Sequence, residues 1–226
     1  MNQRVGDKSS IRSTLQYCIG RPSSTTRKLP TVIPNFNHSH VLPPFLGDSP
    51  SQAAQASPYT ATAGELVARL GNTPQRCALL KGLFAYRRAL IDLGFSHGFQ
   101  WLDGSFVEDI EAHESRSPND IDVVTFANTP SGLDPNQVQA LALAHPEVFE
   151  PAQTKRHFGC DAYLVRLDGS PERLVSRAAY YQGLFSHRRS DNMWKGMLML
   201  QLQSDDSAAV AALSHSLEGG HDAAPT

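Results

Sequence analysis

The chain has only three cysteines in 226 residues, Cys18, Cys77 and Cys160, and none stands in a Cys-x-x-Cys pair. That scatter excludes a disulfide framework and a thiolate zinc site. His157 and Cys160 have a chelating spacing, yet no second pair stands nearby to complete a zinc centre. Long apolar runs are missing too: the chain nowhere approaches the 18 or more apolar residues of a membrane helix, and it has no secretory hydrophobic segment. These absences predict a soluble, cytoplasmic protein. Basic charge is scarce beyond the N-terminus. The formal net charge is −2, but residues 1–30 hold Arg4, Lys8, Arg12, Arg21, Arg27 and Lys28 against Asp7 alone, so the rest carries 14 basic and 21 acidic residues, a net of −7. Binding along a nucleic-acid backbone needs clustered basic residues, so no extended nucleic-acid surface is expected. A small nucleotide stays compatible with an acidic body, because metal ions neutralise its phosphates.

What is present reads as one domain with tails. The 40 % hydrophobic content and the length are enough for a real core. Residues 1–30 form a basic, Ser/Thr-rich leader, compositionally like a transit peptide but read as a disordered extension. Residues 31–63 form a proline-punctuated arm, with Pro34, Pro43, Pro44, Pro50 and Pro58, expected to wrap the surface and pack Val41, Leu42, Phe45 and Leu46 on the core rather than close as a lid. Residues 64–203 form the main domain, and the Ala/Ser/Gly-rich stretch 204–226 is expected to be a flexible tail.

Within the domain, Leu79, Leu80, Leu83, Phe84, Leu90 and Ile91 recur at helical spacing and predict a helix over Gln75–Leu93, with Lys81, Arg87 and Arg88 on its other side and Gly94 ending it. Asp134 as N-cap and Pro135 at the first helical position predict a helix to Ala144. A strand over Asp161–Leu167, a helix over Pro171–Leu184 and a strand over Lys195–Leu202 complete an α+β, or α/β-like, domain with a small mixed sheet and no internal repeat.

The chemistry concentrates in two stretches. Val123, Val124, Thr125 and Phe126 follow a Pro118-Asn119 turn signal, so Asp120 to Phe126 reads as a buried strand entered from its polar end. Alternation then puts Asp120 and Asp122 on one face about 6.6 Å apart. Like charges that close repel, and burial raises their pKa values unless a cation sits between them. An oxygen-only donor set of this kind suits Mg²⁺ or Mn²⁺. Upstream, the apolar run Phe99-Gln100-Trp101-Leu102 ends at Asp103-Gly104-Ser105, where glycine permits a tight turn and close approach to a ligand. A helix starting there would aim free N–H groups and the Ser105 hydroxyl at a phosphate. Trp101 and Tyr163 read as core. His187-Arg188-Arg189 and Lys195 are the few cations placed to hold a triphosphate, and Arg189 and Lys195 are the candidates.

Gly104-Ser105, then Asp120-x-Asp122, then Asp161 opening the run Ala162-Tyr163-Leu164-Val165, resembles the pattern of the polymerase-beta-like nucleotidyltransferase superfamily. The resemblance implies that Asp120 and Asp122 bind metal ions with a nucleoside triphosphate, and that Asp161 completes the site and helps activate the attacking hydroxyl. Fourteen residues separate Ser105 from Asp120, longer than is usual there, and they include the charged insert Glu108 to Glu114. A wider similarity, from Ile33 to Leu202, is to a small, largely uncharacterised bacterial family of nucleotidyltransferase-fold proteins; it rests on Pro34-Asn35-Phe36, Val41-Leu42-Pro43-Pro44, Ser57-Pro58-Tyr59, Phe99 to Phe106 and Lys195-Gly196. The expectation is a metal-dependent transferase moving an NMP to an acceptor left open. The alternative is a non-catalytic nucleotide-binding or antitoxin-like interaction module, with another protein as partner. A nuclease is disfavoured, because no histidine or lysine base stands in a recognisable pattern beside the acids.

Overall fold

Five strands make one mixed, open sheet in the order β1-β5-β2-β3-β4, where β1 is Tyr59–Ala61, β2 Gly98–Asp103, β3 Ile121–Ala127, β4 Cys160–Arg166 and β5 Leu198–Gln201. The outer pairs β1/β5 and β3/β4 are parallel, and β2 runs antiparallel to both of its neighbours. The computed structural model describes residues 33–204 and 206–218. The basic leader lies outside the described residues.

Alternation along the strands builds two different faces. Leu102, Ile121, Val123, Cys160, Ala162, Leu198 and Leu200 point into the main core. Over that core lie α1 (Ala63–Leu70), α2 (Pro74–Asp92), α5 (Pro146–Phe149), α6 (Pro151–Phe158) and α8 (Ser207–Glu218). The opposite face carries a smaller cluster of Val124, Phe126, Val165 and Met197, covered by Tyr181 and Phe185 of α7 (Pro171–Phe185). This second cover stops short, and the strand ends beyond it carry acids instead of apolar residues.

Local signals set the helix starts. Thr73, Asp134 and Ser170 accept backbone N–H groups at the N-termini of α2, α4 (Pro135–Ala144) and α7, each followed by proline at the first helical position. The helices expected around Gln75–Leu93, Asp134–Ala144 and Pro171–Leu184 are therefore present with ends moved by a residue or so. The strand expected over Lys195–Leu202 is shorter, because Lys195 and Gly196 bond to Ser186 and Leu42 instead of a ladder partner.

Two expectations are corrected. Arg87 does not decorate the solvent side of α2: it is fully buried, donating to Asp206 Oδ2 at 2.6 Å, Gln100 Oε1 at 2.7 Å, Ser204 Oγ at 2.6 Å and the Gln201 carbonyl at 2.8 Å. The stretch after Ser204 is not a loose tail through its first part, because Asp206 answers that buried cation and α8 follows, burying Ala209 and Leu213 against α1 and α2. The arm packs as expected at Val41 and Leu42, both fully buried, while Phe45 is half-buried and Leu46 exposed. No helix among the described residues is long and apolar enough to cross a membrane.

Candidate functional site

Strand register assembles the acids. Asp122 of β3 pairs with Asp161 of β4 on one side and with Asp103, the last residue of β2, on the other. Neighbouring strands lie about 4.8 Å apart, so these three carboxylates form a row across the sheet on the α7 face. Asp120 precedes β3 by one residue and joins them. Carboxylate oxygens of Asp120, Asp122 and Asp161 all lie within 4.8 Å of one another, each partly exposed. The side chains thus converge more closely than the roughly 6.6 Å backbone spacing alone suggests.

Convergence has an electrostatic cost. Burial pushes the Asp122 carboxyl up to about 6, and the negative charges of Asp120 and Asp161 push the same way. Lys155, from α6, forms an ion pair with Asp120 and has its own pKa raised by that contact. An ammonium on a side chain 54 % exposed thus sits where the cluster needs positive charge. Three converging oxygen ligands, one with a raised pKa, and a lysine paired with one of them fit a hard divalent cation such as Mg²⁺ or Mn²⁺.

The wall beside the row is held from beneath. Gly104 follows Asp103 with φ of +82°, and a Cβ there would meet Asp122 Oδ2 at 2.7 Å, so the turn and the acid can be this close only because the residue is glycine. No α-helix follows Gly104. Ser105–Val107 form a single 3₁₀ turn, and α3 (Ile110–Glu114) is one short piece, so the expected helix N-terminus is replaced by a turn. The Ser105 hydroxyl makes no hydrogen bond among the described residues and lines the cleft. Arg76 of α2, almost wholly buried, fastens this segment by donating to the Phe106 carbonyl at 2.7 Å, the Glu108 carbonyl at 2.6 Å and both oxygens of Glu111. The charged insert is therefore built into the structure.

Lys195 is not free to grip a triphosphate. It is 2 % exposed, and its ammonium donates to Glu108 Oε1 at 2.6 Å and to the Gly104 carbonyl at 3.2 Å. Burial works against its charge, but Asp103 and Glu108 outweigh that and raise its pKa. Asp103 Oδ1 is 3.1 Å from the same ammonium without hydrogen-bond geometry, and that buried oxygen has no hydrogen-bond partner. Burial drives the Asp103 carboxyl up to about 7, against the lowering pull of Lys195. Lys195 thus ties the loop before β5 to the Gly104 turn and neutralises Glu108 behind the site.

A cleft of about 880 Å³ opens over this row. It contains all of the expected site residues: Asp120, Asp122, Asp161, Gly104, Ser105, Arg189 and Lys195. Arg189 is exposed, makes no ion pair among the described residues, and its charge reaches Asp122. Arg188 beside it is buried, held by Asp191 at 3.0 Å and the Ser39 carbonyl at 2.9 Å. Tyr163, read as core from the sequence, is 37 % exposed and lines the cleft. The residues that sequence reasoning passed over are Asp103, Glu108 and Lys155. Asp103 had a visible signal, an acid directly before Gly104-Ser105 at a strand end; Glu108 and Lys155 enter through long-range packing that has none.

Residues 34–201 match the model of a family of unknown function, DUF6932. No curated protein and no solved structure matches the chain.

Proposed function

The chain belongs to that family of unknown function, and for it we propose metal-dependent nucleotidyl transfer, from a nucleoside triphosphate to an acceptor hydroxyl. The observation that carries this reading is the convergence of Asp120, Asp122 and Asp161 within 4.8 Å at the floor of a large cleft. Mg²⁺ or Mn²⁺ held by these three would supply charge neutralisation and Lewis acidity toward phosphate oxygens.

The chain's own groups supply the rest. Gly104 keeps the cleft wall thin, so backbone and the Ser105 hydroxyl stand at the surface where phosphate oxygens need donors. Arg189, unpaired among the described residues, would hold the triphosphate tail, its fork of donors suited to phosphate oxygens. Asp161 accepts the proton of the acceptor hydroxyl. The acceptor oxygen bonds the α-phosphorus, the bond from that phosphorus to the bridging oxygen breaks, and pyrophosphate leaves. Asp103, Glu108 and Lys195 hold the Gly104 turn against Asp122. On this reading the protein works in the cytoplasm, where triphosphates are abundant.

The test is pyrophosphate release from each nucleoside triphosphate with Mg²⁺ or Mn²⁺, in wild type and in Asp161→Asn. Release that needs metal and falls at least a hundredfold in the variant supports transfer. A second reading, a nucleotide-binding or antitoxin-like module without turnover, is favoured by Lys155: its ammonium already neutralises Asp120 and could take the place of a metal ion. Metal-independent triphosphate binding with no pyrophosphate formed would select that reading.

A further inference from the structure

A second cavity, of about 510 Å³, lies between edge strand β4 and α7. Its size falls within the range of small-molecule sites, about 300–1,000 Å³. Tyr163 lines both this cavity and the acidic cleft, so the two adjoin at one side chain. Tyr163 also stands two residues after Asp161 on the same face of β4, about 6.6 Å along the strand. Its ring lies 5.7 Å from that of Tyr181, which borders the cavity on the α7 side.

The cavity's charge is opposite to that of the cleft. Arg166, Arg173 and Arg177 line it, and no acidic residue does. Arg166 is engaged by Asp168 at 3.2 Å. Arg173 and Arg177 are exposed, and their side chains make no hydrogen bond or ion pair among the described residues. Four residues apart on α7, they share one helix face and can converge on a single anion. In a body of net −7 outside the leader, two adjacent cations without acidic partners stand out.

We infer that this cavity is the acceptor subsite, and that the acceptor has the chemistry of a nucleoside monophosphate: a flat ring against Tyr163 and Tyr181, a phosphate on Arg173 and Arg177, and a hydroxyl directed toward Asp161. The inference rests on the transfer reading above. The charge pattern argues for it. A phosphate-bearing acceptor is repelled by the three aspartates, so its anionic part must be held away from them while its hydroxyl comes close. Arginines in a cavity that meets the cleft at Tyr163 answer that demand, and aromatic faces accept any base. The same chemistry comes from a free mononucleotide or from the end of a single strand.

The experiment is titration of adenosine 5′-monophosphate and of a six-nucleotide single-stranded RNA into the full-length protein, in EDTA, against Arg173→Gln/Arg177→Gln. Both positions are exposed and unpaired, so the variant keeps the fold. The inference expects binding without metal, weakened about tenfold to a hundredfold in the variant and partly restored in Arg173→Lys/Arg177→Lys. Tighter binding of the RNA identifies a strand end, and equal or tighter binding of the monophosphate identifies a free nucleotide. No binding of either probe to wild type, or equal binding by the Gln variant, overturns the inference. Metal-dependent triphosphate binding, measured on the same Gln variant, separates the two claims: its survival leaves the acidic site standing whatever happens at the arginines.

Discussion

Replacing Asp103 by Asn removes a carboxylate that burial holds against its preference for charge, and the consequence is read in how stability varies with pH. The Asp103 carboxyl is raised from an ordinary 3.8 to about 7 in the folded protein. At a pH below both values the two states carry the proton alike. Between them the unfolded chain has released its proton while the folded chain keeps it, so stability falls as pH rises through this window and is level above about 7. A shift of about three units at about 1.4 kcal/mol each makes that fall about 4 kcal/mol. Asp122, raised to about 6, adds a smaller fall of the same sign. Asp168 and Asp191, both lowered to about 2, act the opposite way, but their window lies below that of Asp103. Urea unfolding in EDTA at half-unit steps from pH 4.5 to 8 measures the slope. Asp103→Asn should lose roughly half or more of the wild-type decline, leaving the part due to Asp122. An identical slope in both proteins would refute the claim that Asp103 is a protonated, buried neighbour of the acid row.

Gly104→Ala forces a Cβ to 2.7 Å from Asp122 Oδ2 at a φ of +82°; the expected cost is about 1–3 kcal/mol of stability, with divalent-metal affinity falling at least tenfold by calorimetry. Arg87→Met leaves Asp206 and Gln100 without their buried partner, and the loss of about 3–5 kcal/mol should appear in chemical unfolding, with faster amide exchange in α8 before the rest of the fold opens. Lys155→Met removes the ammonium competing for Asp120, so metal should bind more tightly while fold stability stays within about 1 kcal/mol, as for other exposed ion pairs.

Particular residues show how far the sequence could be read. The β-branched run Val123 to Thr125 predicts β3, and the Asp134-Pro135 cap predicts α4, because both signals are local. Asp120 and Asp122 are legible as a pair because residues two apart on a strand share a face; Asp161 joins them only through the resemblance to the nucleotidyltransferase pattern. What pairing contributes was not legible: that β2 lies antiparallel to β3, with Asp103 opposite Asp122, depends on register between distant segments. Lys195 reads as a phosphate ligand because it is one of the few cations before the last strand; only packing reveals that Glu108, from a segment 87 residues earlier, claims it. The same holds for Arg87, whose partner Asp206 is 119 residues away and turns a supposed tail into a docked helix. Low-complexity composition after Ser204 hid α8, since one alanine and a leucine four residues later, Ala209 and Leu213, are enough to bury one face.

On the transfer reading, Asp120, Asp122 and Asp161 form a metal-dependent nucleotide site. Its most direct measurement is calorimetric titration of the four ribonucleoside triphosphates with Mg²⁺ into wild type and into Asp120→Asn/Asp122→Asn. Binding is expected in wild type and should disappear with EDTA and in the double variant. Binding that persists in the variant, or no binding to wild type with Mg²⁺ present, would contradict it.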